Sequence, residues 1–128
     1  MNSLAMERAN ITNALTQYFE NEGTSLSVEA FIPERPNPPC IVLEPGTPYL
    51  EEGQTFCDFI TRFTLILLAG NATNENSTAD LDDLICKTID ALERHQVESV
   101  DQPSQFEVNN NLFLGTRIAV SREVELTI

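Results

Sequence analysis

From Leu112 to the last residue, Ile128, apolar and polar side chains alternate with a period of two. Leu112, Leu114, Ile118, Val120, Val124, Leu126 and Ile128 fall on one face. Phe113, Gly115, Arg117, Ala119, Ser121, Glu123, Glu125 and Thr127 fall on the other. Only an extended strand sorts residues this way, and its mostly wettable back marks it as half-buried. A strand of this length needs a broad sheet beside it and a layer over its apolar face. Because the pattern persists to the end of the chain, the C-terminus is expected to be tied down.

Phe56 to Ala69 is a second long strand segment. Phe59, Phe63, Leu65 and Leu67 share one face, and Ile60, Ile66 and Leu68 share the other with Arg62 and Thr64. By Leu65–Leu68 both faces are apolar, so the strand is expected to be covered on both sides there, by its own helices or by a neighbouring subunit.

Two segments carry helical spacing. Leu4, Ile11, Ala14, Leu15, Tyr18 and Phe19 repeat helically over residues 3–21, and Gly23 stands just beyond as a stop signal. Leu81, Leu84, Ile85, Thr88, Ile89 and Leu92 form the stripe of a helix over 77–94. Ser77 with Asp80 resembles a capping box, Asp80, Asp82 and Asp83 crowd the first turns, and Arg94 and His95 close it.

Between these elements, Leu26, Val28 and Ala30 alternate toward Ile32 and stop at the cluster Pro33, Pro36, Pro38 and Pro39. Cys40–Leu43 reads as a brief strand. Pro45–Gly53, with two prolines and two glycines, reads as a loop, as do 70–76 and a polar linker around 101–103. Phe106–Val108 reads as a short strand, and Asn109–Asn111 as a tight turn using asparagine's tolerance of left-handed backbone. The order is helix, three strands, helix, two strands. The fold class is α+β, a mostly antiparallel sheet with two helices packed on one face, and residues 1–128 form a single domain.

The 128 residues carry 20 acidic and 7 basic side chains, a net charge of −13. Phosphate backbones and anionic membranes are bound through lysine and arginine, so this balance argues against both and favours basic partners. Cys40, Cys57 and Cys86 form neither a close pair nor a CxxC, which fits a reducing cytoplasm. No leader-like N-terminal pattern stands out, so the sequons at Asn10, Asn71 and Asn76 are not expected to be glycosylated.

No residue nominates catalysis. His95 has no nucleophile near it in sequence and reads as a histidine at a helix C-terminus, against the dipole. With one histidine and scattered cysteines a zinc site is not expected, and Cys40 and Cys86 read as small buried hydrophobes. The acidic group Glu75, Asp80, Asp82 and Asp83 lacks the glycine of a calcium loop and reads as a solvated helix start. No enzyme activity, cofactor or metal is expected.

The stretch Pro45-Gly46-Thr47-Pro48-Tyr49-Leu50 resembles a Pro-Gly-Asp-Pro-Tyr-Leu motif of the tail terminator family of long-tailed bacteriophages, with Thr47 in place of the aspartate. The resemblance continues through Leu65-Ile66-Leu67-Leu68-Ala69-Gly70, Leu81-Asp82-Asp83-Leu84-Ile85 and the long terminal strand. It implies a structural virion protein of the tail and neck, assembled in the host cytoplasm. Such proteins form a ring of about six subunits that caps the tail tube, ends tube growth and meets the head-side connector or stopper. DNA would pass through without specific binding. Pro48, Tyr49, Leu50, Glu51, Glu52, Phe56, Ile66 and Leu68 are the expected contacts with neighbouring subunits or partners, Tyr49 as an aromatic anchor unless it folds onto its own core. The alternatives are a head–tail connector or tail completion protein, and a small acidic inhibitor of a host protein.

Overall fold

The computed structural model describes residues 2–31, 33–34, 36–70 and 75–128. The expected extension of the first strand to Ile32, the 71–74 part of the loop with the Asn71 sequon, and the side chain of Glu75 lie outside them.

Helix α1 spans Ser3–Asn21. The Ala5 N–H donates to the Asn2 side chain at 2.8 Å, giving the helix its N-cap. At the other end Gly23 takes φ 73, its N–H donates to Glu20 and that of Thr24 to Phe19. This left-handed closure is why the helix stops there. Ser3, Glu7, Ile11, Leu15 and Phe19, spaced by four, are its buried stripe. Helix α2, Glu75–Ala91, buries Leu81, Leu84 and Thr88. It begins before Ser77, so Ser77 sits in the first turn and is not the capping residue.

The sheet has six strands: β1 (Ser27–Glu29), β2 (Cys40–Glu52), β3 (Asp58–Gly70), β4 (Gln96–Val100), β5 (Ser104–Val108) and β6 (Asn111–Glu125). Their order is β1-β2-β3-β6-β4, with β5 also paired to β6. Only the β1–β2 pairing is parallel. Since Gly115 and Ile118 of β6 pair with β3 and also with β5 or β4, β6 carries β3 on one edge and β4 then β5 on the other. The structure thus has the α+β class and the mostly antiparallel sheet expected. Both helices pack on one face, over Ile41, Leu43, Phe63, Leu65, Leu67, Ile118 and Val120.

Two expectations need correction. Residues 45–53 are not a loop, because β2 runs on to Glu52. Its register with β3 jumps from Pro45↔Phe63 to Leu50↔Thr61, so Gly46–Tyr49 bulge opposite Arg62 alone. β1 has ended by then, so the missing N–H groups of Pro45 and Pro48 cost no ladder bond. A Cβ on Gly46 would come within 2.7–2.9 Å of Arg62 Cβ, C and O, which explains the glycine. The polar stretch before Asp101 contains β4, a further strand. Its register shifts between Val97 and Ser99, which hides the alternation.

The C-terminal segment is tethered as expected through Leu126 and Thr127, but β6 ends at Glu125 and Ile128 is fully exposed, so the strand does not run to the last residue. The Ser3 N–H donates to Thr127 at 2.9 Å and the Leu126 N–H to Cys57 at 3.3 Å. Asn109 and Asn110, at φ 51 and 67, make the tight β5–β6 turn.

The second face of the sheet is covered by the chain itself. Cys40, Val42, Ile66, Leu68 and Phe113 form a smaller core there, with Phe106 and Val108 of β5 packed on it. Gly115 permits that arrangement, because a Cβ would lie 2.4 Å from the Leu67 carbonyl oxygen and 2.9 Å from Leu68 Cδ2. Gly115→Val is therefore expected to destabilise the fold by about 3 kcal/mol, the upper part of the overpacking range, since the nearer obstacle is backbone. Urea unfolding followed by circular dichroism checks this, and a loss under 1 kcal/mol would contradict the packing.

Candidate functional site

The residues expected to make contacts divide between two places. Pro48 is exposed in the β2 bulge, Leu50 is half-buried, Glu51 and Glu52 are exposed, and Phe56 stands at the tip of the β2–β3 hairpin. Ile66 and Leu68 lie toward the far end of β3 in the second-face core. At about 3.3 Å per residue, the eight to ten positions separating them from Asp58 span roughly 26–33 Å.

Tyr49 points into the chain's own interior, which corrects its reading as an anchor for a neighbour. Its hydroxyl accepts from Arg8 Nη2 at 2.8 Å, and its ring meets Phe63 edge-on at 5.6 Å. The bulge is what turns it inward. Phe56 does the opposite: it is 96% exposed, beside Cys57 at φ 73. Nearby, Glu51 accepts from Arg62, which also contacts Glu98, both at 3.1 Å.

Around Ile66 and Leu68 the covering strand β5 does not seal the sheet. A groove of about 450 Å³ remains, walled by Pro33, Pro36, Val42, Phe106 and Val108. Arg117 stands at it with its guanidinium 4.7 Å from the centre of the Phe106 ring and 3.8 Å from Glu44. Ile66 and Leu68 are thus already buried by their own chain, and a partner reaches them only through this groove. Sequence reasoning missed the walls, because nothing in the period of Gln105–Val108 says that β5 pairs with β6 and turns Phe106 and Val108 onto the second-face core.

One titratable cluster lies elsewhere. Glu7 occupies the buried stripe of α1, with His95 Nε2 3.4 Å and Arg122 Nη1 3.3 Å from its Oε1. Burial pushes the Glu7 carboxyl up, but the adjacent His95 and Arg122 outweigh it and hold the group below its ordinary value. The His95 ring is therefore not at the helix dipole: α2 ends at Ala91, and the ring turns inward to Glu7. At 3.4 Å its geometry is not that of a hydrogen bond, and neither ring nitrogen has a partner. Among the described residues the His95 ring has no hydrogen-bond partner, and the ion pair beside it, Glu7 with the partly exposed Arg122, contains no nucleophile.

Cys40 is buried, and burial pushes its thiol up to about 11, which keeps it protonated. Cys86 is exposed, contrary to its reading as a buried hydrophobe. Among the described residues no three His, Cys, Asp or Glu side chains gather to hold a metal, and no helix is long and apolar enough to cross a membrane. Asp80, Asp82 and Asp83 are exposed on α2, Asp83 pairing with Lys87 at 3.1 Å.

The fold and these surfaces define an α+β protein with one sheet, two helices on one face and a part-open groove on the other. Compared with known proteins, the chain matches no family model and no curated relative.

Proposed function

We propose that this chain works by assembly: it forms a ring on the end of a bacteriophage tail tube, ends tube growth and offers its other side to the head-side connector. The observation that carries this reading is the exposed apolar surface that the fold leaves outside both of its cores. Phe56 is almost wholly exposed, Ile128 is fully so, and Leu126 is half-exposed, at one end of the two longest strands. The groove over Ile66 and Leu68 lies at the other end. Singly exposed apolar residues are ordinary; what carries weight is that Phe56 and Leu126 are brought to the same end of the sheet, where the Leu126 N–H donates to Cys57. The resemblance of Pro45-Gly46-Thr47-Pro48-Tyr49-Leu50 to the tail terminator motif supports the same reading, although its glycine and tyrosine pack within the chain. The net charge of −13 suits a ring through which DNA slides without adhering.

Tail tubes of a long-tailed phage assembled with and without the chain test the role. With it, electron microscopy should show tubes of fixed length carrying a ring at one end. Tubes that keep growing with bare ends would contradict it. A second reading rests on the charge alone: a small acidic protein that occupies a basic site on a host protein as a single copy.

A further inference from the structure

We propose that copies of this chain join head to tail, Phe56 of one copy seating in the second-face groove of the next, between Val42, Ile66, Leu68, Phe106 and Val108. This rests on the ring-forming reading above and names the contact that would build the ring.

Four observations carry it. First, Phe56 is 96% exposed at the tip of a two-stranded hairpin, where it contributes to neither core. The tip is held by its own bonds: the Gly53 N–H donates to Asp58 at 2.8 Å, and Thr55 and Asp58 are joined through their side chains. An aromatic ring presented on an ordered tip loses little freedom on docking, which is the usual character of an interface anchor.

Second, the groove has the size and lining for such a ring. Its 450 Å³ is floored by Ile66 and Leu68, with Val42, Phe106 and Val108 as apolar walls and Ser104, Glu107 and Arg117 among its polar lining. A phenyl group entering it therefore meets apolar surface at the floor and a polar rim.

Third, the occupant cannot come from the same copy. The tip and the groove sit roughly 26–33 Å apart along β3, and the hairpin is fixed to β6 through Asp58↔Glu125. A projection and a socket on different parts of one molecule give a heterologous contact, which builds a ring where its rotation closes and an open filament where it does not.

Fourth, the charges match locally. The tip carries Glu51 and Glu52, of which Glu51 is engaged with Arg62. At the groove, Arg117 is 49% exposed, and its ion pair with Glu44 is long at 3.8 Å. Glu52 of an arriving tip supplies that guanidinium with a second carboxylate. Glu44 and Glu107 also line the groove, two carboxylates to one guanidinium, so any attraction for the acidic tip is confined to Arg117.

The contact is small. A tip with one aromatic ring falls below the roughly 1,200 Å² of a stable interface, so isolated pairs are weak and closure of the ring supplies the stability. Assembly should therefore rise steeply with concentration.

Two variants of the full chain test this, each altering an exposed residue. Phe56→Ser removes the projection, and Ser104→Trp fills the groove from its rim. Light scattering at high concentration should give the ring for the parent chain. For either variant alone it should give single copies, with association weakened about thirtyfold or more. Phe56→Leu, which keeps an apolar tip, should retain the ring. An equimolar mixture of Phe56→Ser and Ser104→Trp keeps one socket and one tip but cannot close a ring. It should give nothing larger than two copies, and those only at the highest concentrations; a ring formed by the mixture would overturn the contact. A ring formed as readily by Phe56→Ser as by the parent would overturn this contact while leaving the ring reading intact. A parent chain that stays single at every concentration would overturn both.

Discussion

Phe63→Ala is expected to lower folding stability by about 3–5 kcal/mol, the range for emptying a buried aromatic site. Phe63 is fully buried and joins three parts of the molecule. Its own strand β3 pairs it with Pro45 and Val120. Tyr49, swung in by the β2 bulge, packs edge-on against it at 5.6 Å, and the Arg8 guanidinium from α1 lies 5.7 Å from the ring centre. Truncation leaves a cavity and removes the surface on which Tyr49 and Arg8 meet. Tyr49→Phe is the control: it loses only the 2.8 Å bond from Arg8 and should cost about 1 kcal/mol. In urea, at a slope of about 1–3 kcal/mol per molar, the Phe63→Ala midpoint should fall by 1 M or more. A fall no larger than that of Tyr49→Phe would show that the bulge is not anchored through Phe63.

Arg122→Ala is expected to cost about 3 kcal/mol near neutral pH, the low end for breaking a buried ion pair, because Arg122 itself is 38% exposed. The affected group is Glu7, whose carboxylate sits on the buried stripe of α1 with Oε2 unpartnered. In the parent chain burial raises the carboxyl, and His95 and Arg122 together bring it below its ordinary value of 4.5. A carboxylate lowered on folding adds stability that is complete above the unfolded value and is lost as pH falls through the folded one. Without Arg122 the burial contribution is opposed by His95 alone, and the carboxyl rises. The variant can then relieve the buried charge by taking up a proton in mild acid, while the parent starts to lose its ion pair there. The gap between the two should therefore be widest near pH 7 and shrink as pH drops below 4.5. Arg122→Lys, which keeps the charge, should recover part of the loss. Denaturant unfolding at neutral and acid pH provides the measurement, and a gap independent of pH would contradict the ion-pair account.

The elements with a clean period were legible in the sequence. The four-residue spacing of Ile11, Leu15 and Phe19 and the stop at Gly23 give α1 with its ends, and the alternation of Leu65–Leu68 shows a strand covered on both faces. Where the period breaks, the reading failed. Pro45, Gly46 and Pro48 look like punctuation, but they occupy a bulge on a stretch of β2 that β1 no longer flanks, so the strand continues past them. A bulge between Val97 and Ser99 conceals β4 in the same way. The contact residues were half legible. Phe56 reads as the start of the Phe56–Ala69 strand, but β3 begins at Asp58 and leaves Phe56 in the hairpin tip, and the direction of Tyr49 depends on a bulge that no local pattern encodes. The groove needs Phe106 and Val108 of β5 to pack on the second-face core, and that depends on the β5–β6 pairing, which no local pattern shows either.

The central claim is that this protein acts by joining copies of itself. Its most direct test is the mass of the purified full chain in solution, measured by light scattering from low to high concentration. Single copies should give way steeply to a closed ring of about six, with few species between. A single 14.3 kDa copy at every concentration would contradict it.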